Sequence, residues 1–201
     1  AALPLLSGCN WASLARPSAS GDVLDRIKKN ANTTDASWSG AKDAPANVSW
    51  RTSLASESEA GERMIISGTV FQPDGRTPAP NTLIYLYHTD IHGHYGVKGE
   101  HRHGRFRGWM LTDENGRYEF SSIRPESYPD TTIAAHVHMT VTTSDLREDW
   151  LDSILFEGDK FIQPRERELA GKKGGFDPIV RLASDANKIG RAVRDIQLWK
   201  V

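Results

Sequence analysis

The spacing of hydrophobic and polar positions changes near residue 63. Before it, residues 10–62 are rich in Ser, Ala, Asn and Asp, and only Ser20 to Asn30 carries a short helical pattern, with Ser20 or Asp22 as its N-cap. This stretch reads as a polar linker and wrap. From Arg63 on, short apolar or alternating runs are separated by turn residues. Met64 to Phe71 is a β-branched run, Gln72-Pro73-Asp74-Gly75-Arg76 is turn chemistry, and Thr82 to His88 alternates as a strand does. Gly108 to Thr112 and Arg117 to Ser121 flank Asp113-Glu114-Asn115-Gly116, the signal of an Asn-Gly hairpin. Ala134 to Thr143 is a further strand, and Ile179 to Ala183 with Arg191 to Leu198, around Ser184 to Asn187, reads as a closing hairpin. Many short strands with little helix predict an all-β fold: an antiparallel β-sandwich over 63–201, one domain with an irregular N-terminal extension.

Composition narrows the function. The 25 Lys+Arg against 26 Asp+Glu leave a net charge of -1 without a basic stripe, which argues against a nucleic-acid partner. The sequence contains no apolar run of the roughly 18 residues that a membrane span requires. One cysteine, Cys9, excludes an internal disulfide and a Cys-rich zinc site. Ala1 to Cys9 has the character of a secretory signal remnant, and Leu6-Ser7-Gly8-Cys9 resembles a bacterial lipobox. The expectation is an exported lipoprotein, periplasmic or at the cell surface, joined to the membrane only through lipid on Cys9. Asn32-Thr33-Thr34 and Asn47-Val48-Ser49 match glycosylation sequons but read as polar linker in that setting.

All seven histidines (88, 92, 94, 101, 103, 136 and 138) and all five tyrosines (85, 87, 95, 118 and 128) fall between residues 85 and 138. Within a strand, His136 and His138 project from one face and can converge on a single ion. No second thiol exists, so further ligands would come from Tyr, Asp, Glu or other histidines. If tyrosines ligate, the ion is ferric iron, because phenolate is a hard anionic donor.

The blocks Gly68-Thr69-Val70, Asp74-Gly75, Pro78-Ala79-Pro80, Leu86-Tyr87-His88, Gly93-His94-Tyr95, Thr112-Asp113, Gly116 to Phe120, Ile123-Arg124-Pro125, Tyr128-Pro129, Ala135 to His138 and Phe156 to Asp159 come in a characteristic order. Over roughly residues 63–160 the chain resembles the intradiol ring-cleavage dioxygenases. The resemblance implies a mononuclear Fe(3+) held by Tyr95, Tyr128, His136 and His138. It also implies a catechol-type substrate and O2 as partners, with ring cleavage to a muconate-type diacid. Tyr128 would leave the metal and act as a base. His92, His94, Arg105 and Arg107 are candidates for substrate contact.

The resemblance also calls for an arginine three residues before the first ligand histidine, where this chain has Ile133. Arg124 is the first candidate to supply that charge as a catalytic residue, followed by Arg105 and Arg107. Part of the pattern is shared with metal-free β-sandwich modules, in which Tyr118 and Phe120 are core residues. A noncatalytic cell-surface binding module, or an iron-binding homologue with altered activity, therefore stands beside the enzyme reading.

Overall fold

The computed structural model describes residues 19–35, 37–96 and 100–200. Cys9 and the lipobox expected around it lie outside the described residues. No helix among the described residues is long and apolar enough to cross a membrane.

Two six-stranded sheets face each other. The first is ordered β1 (Arg51–Ser53), β5 (Arg117–Ile123), β2 (Arg63–Phe71), β11 (Gly190–Val193) and β10 (Ala183–Ser184), with β12 (Ile196–Gln197) also on β2. The second is ordered β4 (Arg107–Leu111), β3 (Leu83–His88), β6 (His136–Thr142), β8 (Ile154–Phe156) and β9 (Ile179–Val180), with β7 (Asp149–Trp150) on β6. The central ladders, β2 with β5 and β3 with β4 and β6, are antiparallel. Parallel pairs, β1 with β5, β11 with β2 and β8 with β9, extend the sheets on either side.

Strand alternation builds the core between the sheets. Met64, Ile66 and Val70 on β2 and Tyr118 and Phe120 on β5 meet Ile84 and Leu86 on β3 and Val137, Met139 and Val141 on β6. Tyr118 and Phe120 are thus core residues, as their spacing implied. The other face of β3 is buried too. Leu83 packs with Leu24 and Ile27 of α1 (Ala19–Lys28), with Ala41 and Ala44, and with Leu111. Burial on both faces explains why the strand reads Leu-Ile-Tyr-Leu-Tyr-His instead of alternating with polar residues.

Two local expectations need correction. The Asn-Gly turn is present, with Asp113 Oδ1 accepting from the Asn115 and Arg117 amides at 2.9 Å each, yet its flanking strands are not a hairpin. β4 pairs with β3 and β5 with β2, so the turn carries the chain from one layer to the other. Turn chemistry sets the reversal, whereas the burial of each strand's apolar face sets its partner. At the C-terminus the tight antiparallel pairing is limited to β10 with β11, while β9 joins β8 in the opposite sheet and β12 runs parallel to β2. The sequence reading also omitted α2 (Pro164–Leu169), although Gln163 and Glu166 form a capping box with Pro164 in the first turn.

Phe120 is completely buried between the sheets and away from the second sheet's outer surface. Phe120→Ala is expected to destabilise the chain by about 3 to 5 kcal/mol, read as a fall in the urea midpoint. A change below about 1 kcal/mol would mean that the two sheets do not share one cooperative core.

Candidate metal centre

The histidine pair lies on the outer face of the second sheet. On β6, Val137 and Met139 enter the core, so His136 and His138 point the other way, beside Tyr87 of the neighbouring strand, which is paired in register with His138. His136 and His138 Nε2 atoms are 3.0 Å apart. Tyr128 Oη stands 3.1 Å from His136 Nε2 and 3.2 Å from His138 Nε2. Tyr95 Oη closes the group by a short hydrogen bond to Tyr128 Oη. Four donors from three segments therefore converge on one point.

Neither tyrosine is on a strand, and their loops are braced against each other. Asp90 organises the first loop, its Oδ1 accepting from the His92 and His94 amides at 2.8 and 2.9 Å, while the Asp90 amide donates to the His94 carbonyl at 2.8 Å. Asp90 O accepts from Glu126 N at 3.1 Å, and Thr89 Oγ1 donates to Glu126 O at 2.7 Å, which ties this loop to the one carrying Tyr128. At the contact, Gly93 has φ +78°, and a Cβ there would lie 2.0 Å from the Ser127 carbonyl oxygen. Gly104, at φ +66°, passes so close to the Tyr95 carbonyl that no side chain fits, and Arg107 Nη1 holds the Gly104 carbonyl. Two glycines thus let backbone approach backbone where the phenols must meet.

The rings around the donors set their protonation. His136 Nδ1 donates to the Ala134 carbonyl at 2.7 Å, so the neutral ring presents a lone pair on Nε2. Burial lowers the His136 pKa, and burial together with the neighbouring His136 lowers that of His138 to about 3, so both imidazoles are neutral at pH 7. Burial raises both phenols. The mutual hydrogen bond raises Tyr95 further, whereas it opposes the rise at Tyr128. Stacked rings wall the group: Tyr87 lies 4.6 Å from His138 and 3.9 Å from His103, and Trp150 lies 5.3 Å from His138.

Among the described residues no cluster of three or more His, Cys, Asp or Glu could hold a metal. The two phenols complete the set instead. Two neutral imidazoles and two hydroxyls that become anionic on losing their protons match the charge and hardness of a ferric ion better than those of zinc or calcium.

A family model described as Dioxygenase matches residues 41–173, about two thirds of the chain. The chain belongs to this family, the intradiol dioxygenases. Catechol 1,2-dioxygenase of Acinetobacter baylyi is 32% identical over 88 residues, 42% of this chain and 28% of that protein. The protocatechuate 3,4-dioxygenase beta chain of Burkholderia cepacia is 26% identical over 113 residues, 51% of this chain and 48% of that one. The chain thus spans half or less of the length of these curated relatives. Among solved structures, the dioxygenase domain of a dioxygenase and carbohydrate-binding protein fusion from Streptomyces sp. SirexAA-E superposes with a TM-score of 0.57 at 24% identity, covering 77% of this chain and 91% of that one. Catechol 1,2-dioxygenase from Acinetobacter sp. ADP1 gives 0.62 at 22% identity, covering 79% and 59%. These structures share the sandwich fold.

The four expected donors, which lie in three of the family blocks, come together, and the other expected site residues lie outside that group. His92 and His94 are exposed on the loop before Tyr95. Arg105 is engaged with Glu59 at 2.7 Å in an exposed ion pair. Arg124 lies 5.2 Å above the Phe156 ring, and Phe156 belongs to the inter-sheet core, whereas its neighbour Leu155 is paired with His136. Arg107 bonds the Gly104 carbonyl, and Gly104 lies against the Tyr95 carbonyl. Ile133 is 48% exposed. Sequence reasoning gave Tyr87 no site role although it stands in a family block, noted His103 only among the clustered histidines, and missed Trp38 and Trp150, which carry no motif. Their role shows only in ring contacts across strands and loops.

His88 is a core residue despite lying among the loop histidines. It is wholly buried, donates from Nδ1 to the Thr89 carbonyl at 2.6 Å, accepts from Ser122 Oγ at 2.8 Å on Nε2, and stacks on Phe106. Burial lowers its pKa from 6.5 to about 4. The unfolded chain takes up this proton first as pH falls, so the stability due to a neutral His88 is full above about pH 6.5 and is lost between there and about pH 4. Roughly 2 kcal/mol should go between pH 7 and pH 5, at about 1.4 kcal/mol per pH unit below 6.5. Urea titrations at both pH values should show a smaller loss in His88→Gln, and equal losses in the two proteins would contradict the assignment.

Proposed function

We propose that this chain is a non-haem Fe(III) intradiol dioxygenase that cleaves a catechol-type ring with O2 to a muconate-type diacid. The observation that carries the reading is the convergence of Tyr95, Tyr128, His136 and His138 on one point. These four would hold the ion, with His136 oriented through its bond to Ala134 O. A ferric ion held by these four side chains would supply Lewis acidity that activates a catechol ring toward oxygen. Tyr128 Oη, shared between the two imidazoles and Tyr95, is placed to accept a proton from an incoming catechol hydroxyl. Tyr95 would stay as a phenolate donor to the ion. The Tyr87 ring, stacked on His138 and His103, shields one side of the donors from water, which strengthens the polar contacts inside.

The protein loaded with iron in air should carry about one iron per chain and a visible phenolate-to-iron absorption band. Loss of a partner that orients a ligand typically weakens a metal by 10 to 100-fold, so Tyr95→Phe or Tyr128→Phe, which removes a donor itself, should lower affinity by at least about 100-fold and abolish or shift the band. A colourless, iron-free wild type would favour the noncatalytic module. Colour without oxygen uptake on catechol would favour an iron-binding homologue with altered activity, the reading motivated by Ile133.

Charge that develops during oxygen attack still needs a cation. Arg124 was the first candidate by sequence position; its guanidinium lies over Phe156, whereas Arg107 bonds the Gly104 carbonyl next to the Tyr95 backbone, and Arg107 is the candidate favoured here. Arg107→Ala should lower kcat by about 10-fold or more, following the loss of a charge-stabilising donor, and Arg124→Ala should have the smaller effect. The reverse order in oxygen-uptake assays would return the role to Arg124.

A further inference from the structure

Residues 32–40 precede the span that matches the family model, and they are pinned beside the four donors by one buried carboxylate. Glu148 is 3% exposed. Its Oε1 accepts from the Gly40 and Ala41 amides at 2.8 and 2.9 Å and from Thr140 Oγ1 at 3.0 Å, while Oε2 accepts from Asn32 N at 2.9 Å. Both ends of the segment are therefore fixed to the strand that bears His136 and His138. Trp109 Nε1 donates to the Gly40 carbonyl at 2.7 Å, and His103 Nε2 donates to the Ser37 carbonyl at 2.8 Å.

What this anchoring presents is an indole. Trp38 stacks on Trp150 with ring centroids 5.2 Å apart and planes 29° apart, and Trp150 in turn stands 5.3 Å from His138. Both tryptophans remain only half-buried. A tryptophan that served packing alone would be driven further from water, since it is the largest apolar side chain available. A fully hydrogen-bonded buried carboxylate is an expensive way to hold a polar loop unless the loop's placement matters. Ile133, at the position where the family pattern calls for an arginine, is exposed.

We infer that Trp38 and Trp150 form a stacking wall for the distal ring of an aryl-substituted catechol, and that Glu148 is the positioning residue that sets the wall. This rests on the proposed ring-cleavage reading, because the proximal ring is placed at the four donors. An aromatic second ring would meet an aromatic face one contact beyond His138. One half of the wall, Trp38, then comes from outside the matched family span.

The test compares kcat/KM for 4-phenylcatechol and for catechol in the iron-loaded protein. Loss of one aromatic contact should reduce the ratio of the two values in Trp38→Ala by about three- to tenfold. Trp38→Phe should recover most of it, and Glu148→Gln should lower the same ratio with the visible band retained. A ratio within about twofold of wild type in both Trp38→Ala and Glu148→Gln would overturn the inference. If the wild type turns over neither catechol, the ring-cleavage reading fails by itself. Equilibrium dialysis of 4-phenylcatechol then decides the wall: weaker binding to Trp38→Ala than to wild type upholds it, and equal binding refutes it.

Discussion

Everything at the candidate centre depends on the pairing of β3 with β6 in a sheet that is covered on both faces. The alternation of β6 sends Val137, Met139 and Val141 into the inter-sheet core. That burial anchors the strand, and because the side-chain period is two, it fixes His136 and His138 on the opposite face. A slip of one residue would exchange histidines for valine and methionine at the site and place imidazoles in the core. The apolar side of the strand therefore enforces the geometry of its polar side. The register with β3 then sets Tyr87 against His138.

On that outer face, water is excluded by loops and not by a second sheet. The N-terminal helix and the segment after it cover the Leu83 and Leu111 end, while the loops around Tyr95 and Tyr128 close over the histidines. Loops need every backbone polar group paired when they are buried, and here side chains do much of that work. Asp90 satisfies two amides of the first loop, and Glu148 satisfies three amides of the N-terminal segment. The same requirement explains the glycines at 93 and 104, where backbones approach too closely for a Cβ.

The histidines show how burial separates chemically identical residues. His88 and His103 are buried and hydrogen-bonded with lowered proton affinity, His136 and His138 share a point with two phenols, and His92, His94 and His101 stay exposed. Desolvation is the first cause of the shift at His88, His103, His136 and His138. Neutral imidazoles next to phenols that resist losing their protons make a set whose negative charge would appear on metal binding, so the family's chemistry and the local electrostatics agree.

The sequence by itself determined what depends on short-range pattern. The positions of β2 to β6, the common face of His136 and His138, the core roles of Tyr118 and Phe120, and the family blocks containing Tyr95 and Tyr128 were legible, because alternation and motif order are local properties, whereas β1, β7 and β8 were not. The partner of each strand was not: the Asn-Gly turn looked like a hairpin, but the apolar faces of β4 and β5 belong to different layers. Nor did spacing reveal that Arg105 is paired with Glu59, that Arg124 lies over Phe156, or that Trp38, more than a hundred residues from Trp150, would stack upon it. Those contacts were decided only when both faces of the second sheet had to be covered, since burial and long-range hydrogen bonding are properties of the packed chain and leave no period in the sequence.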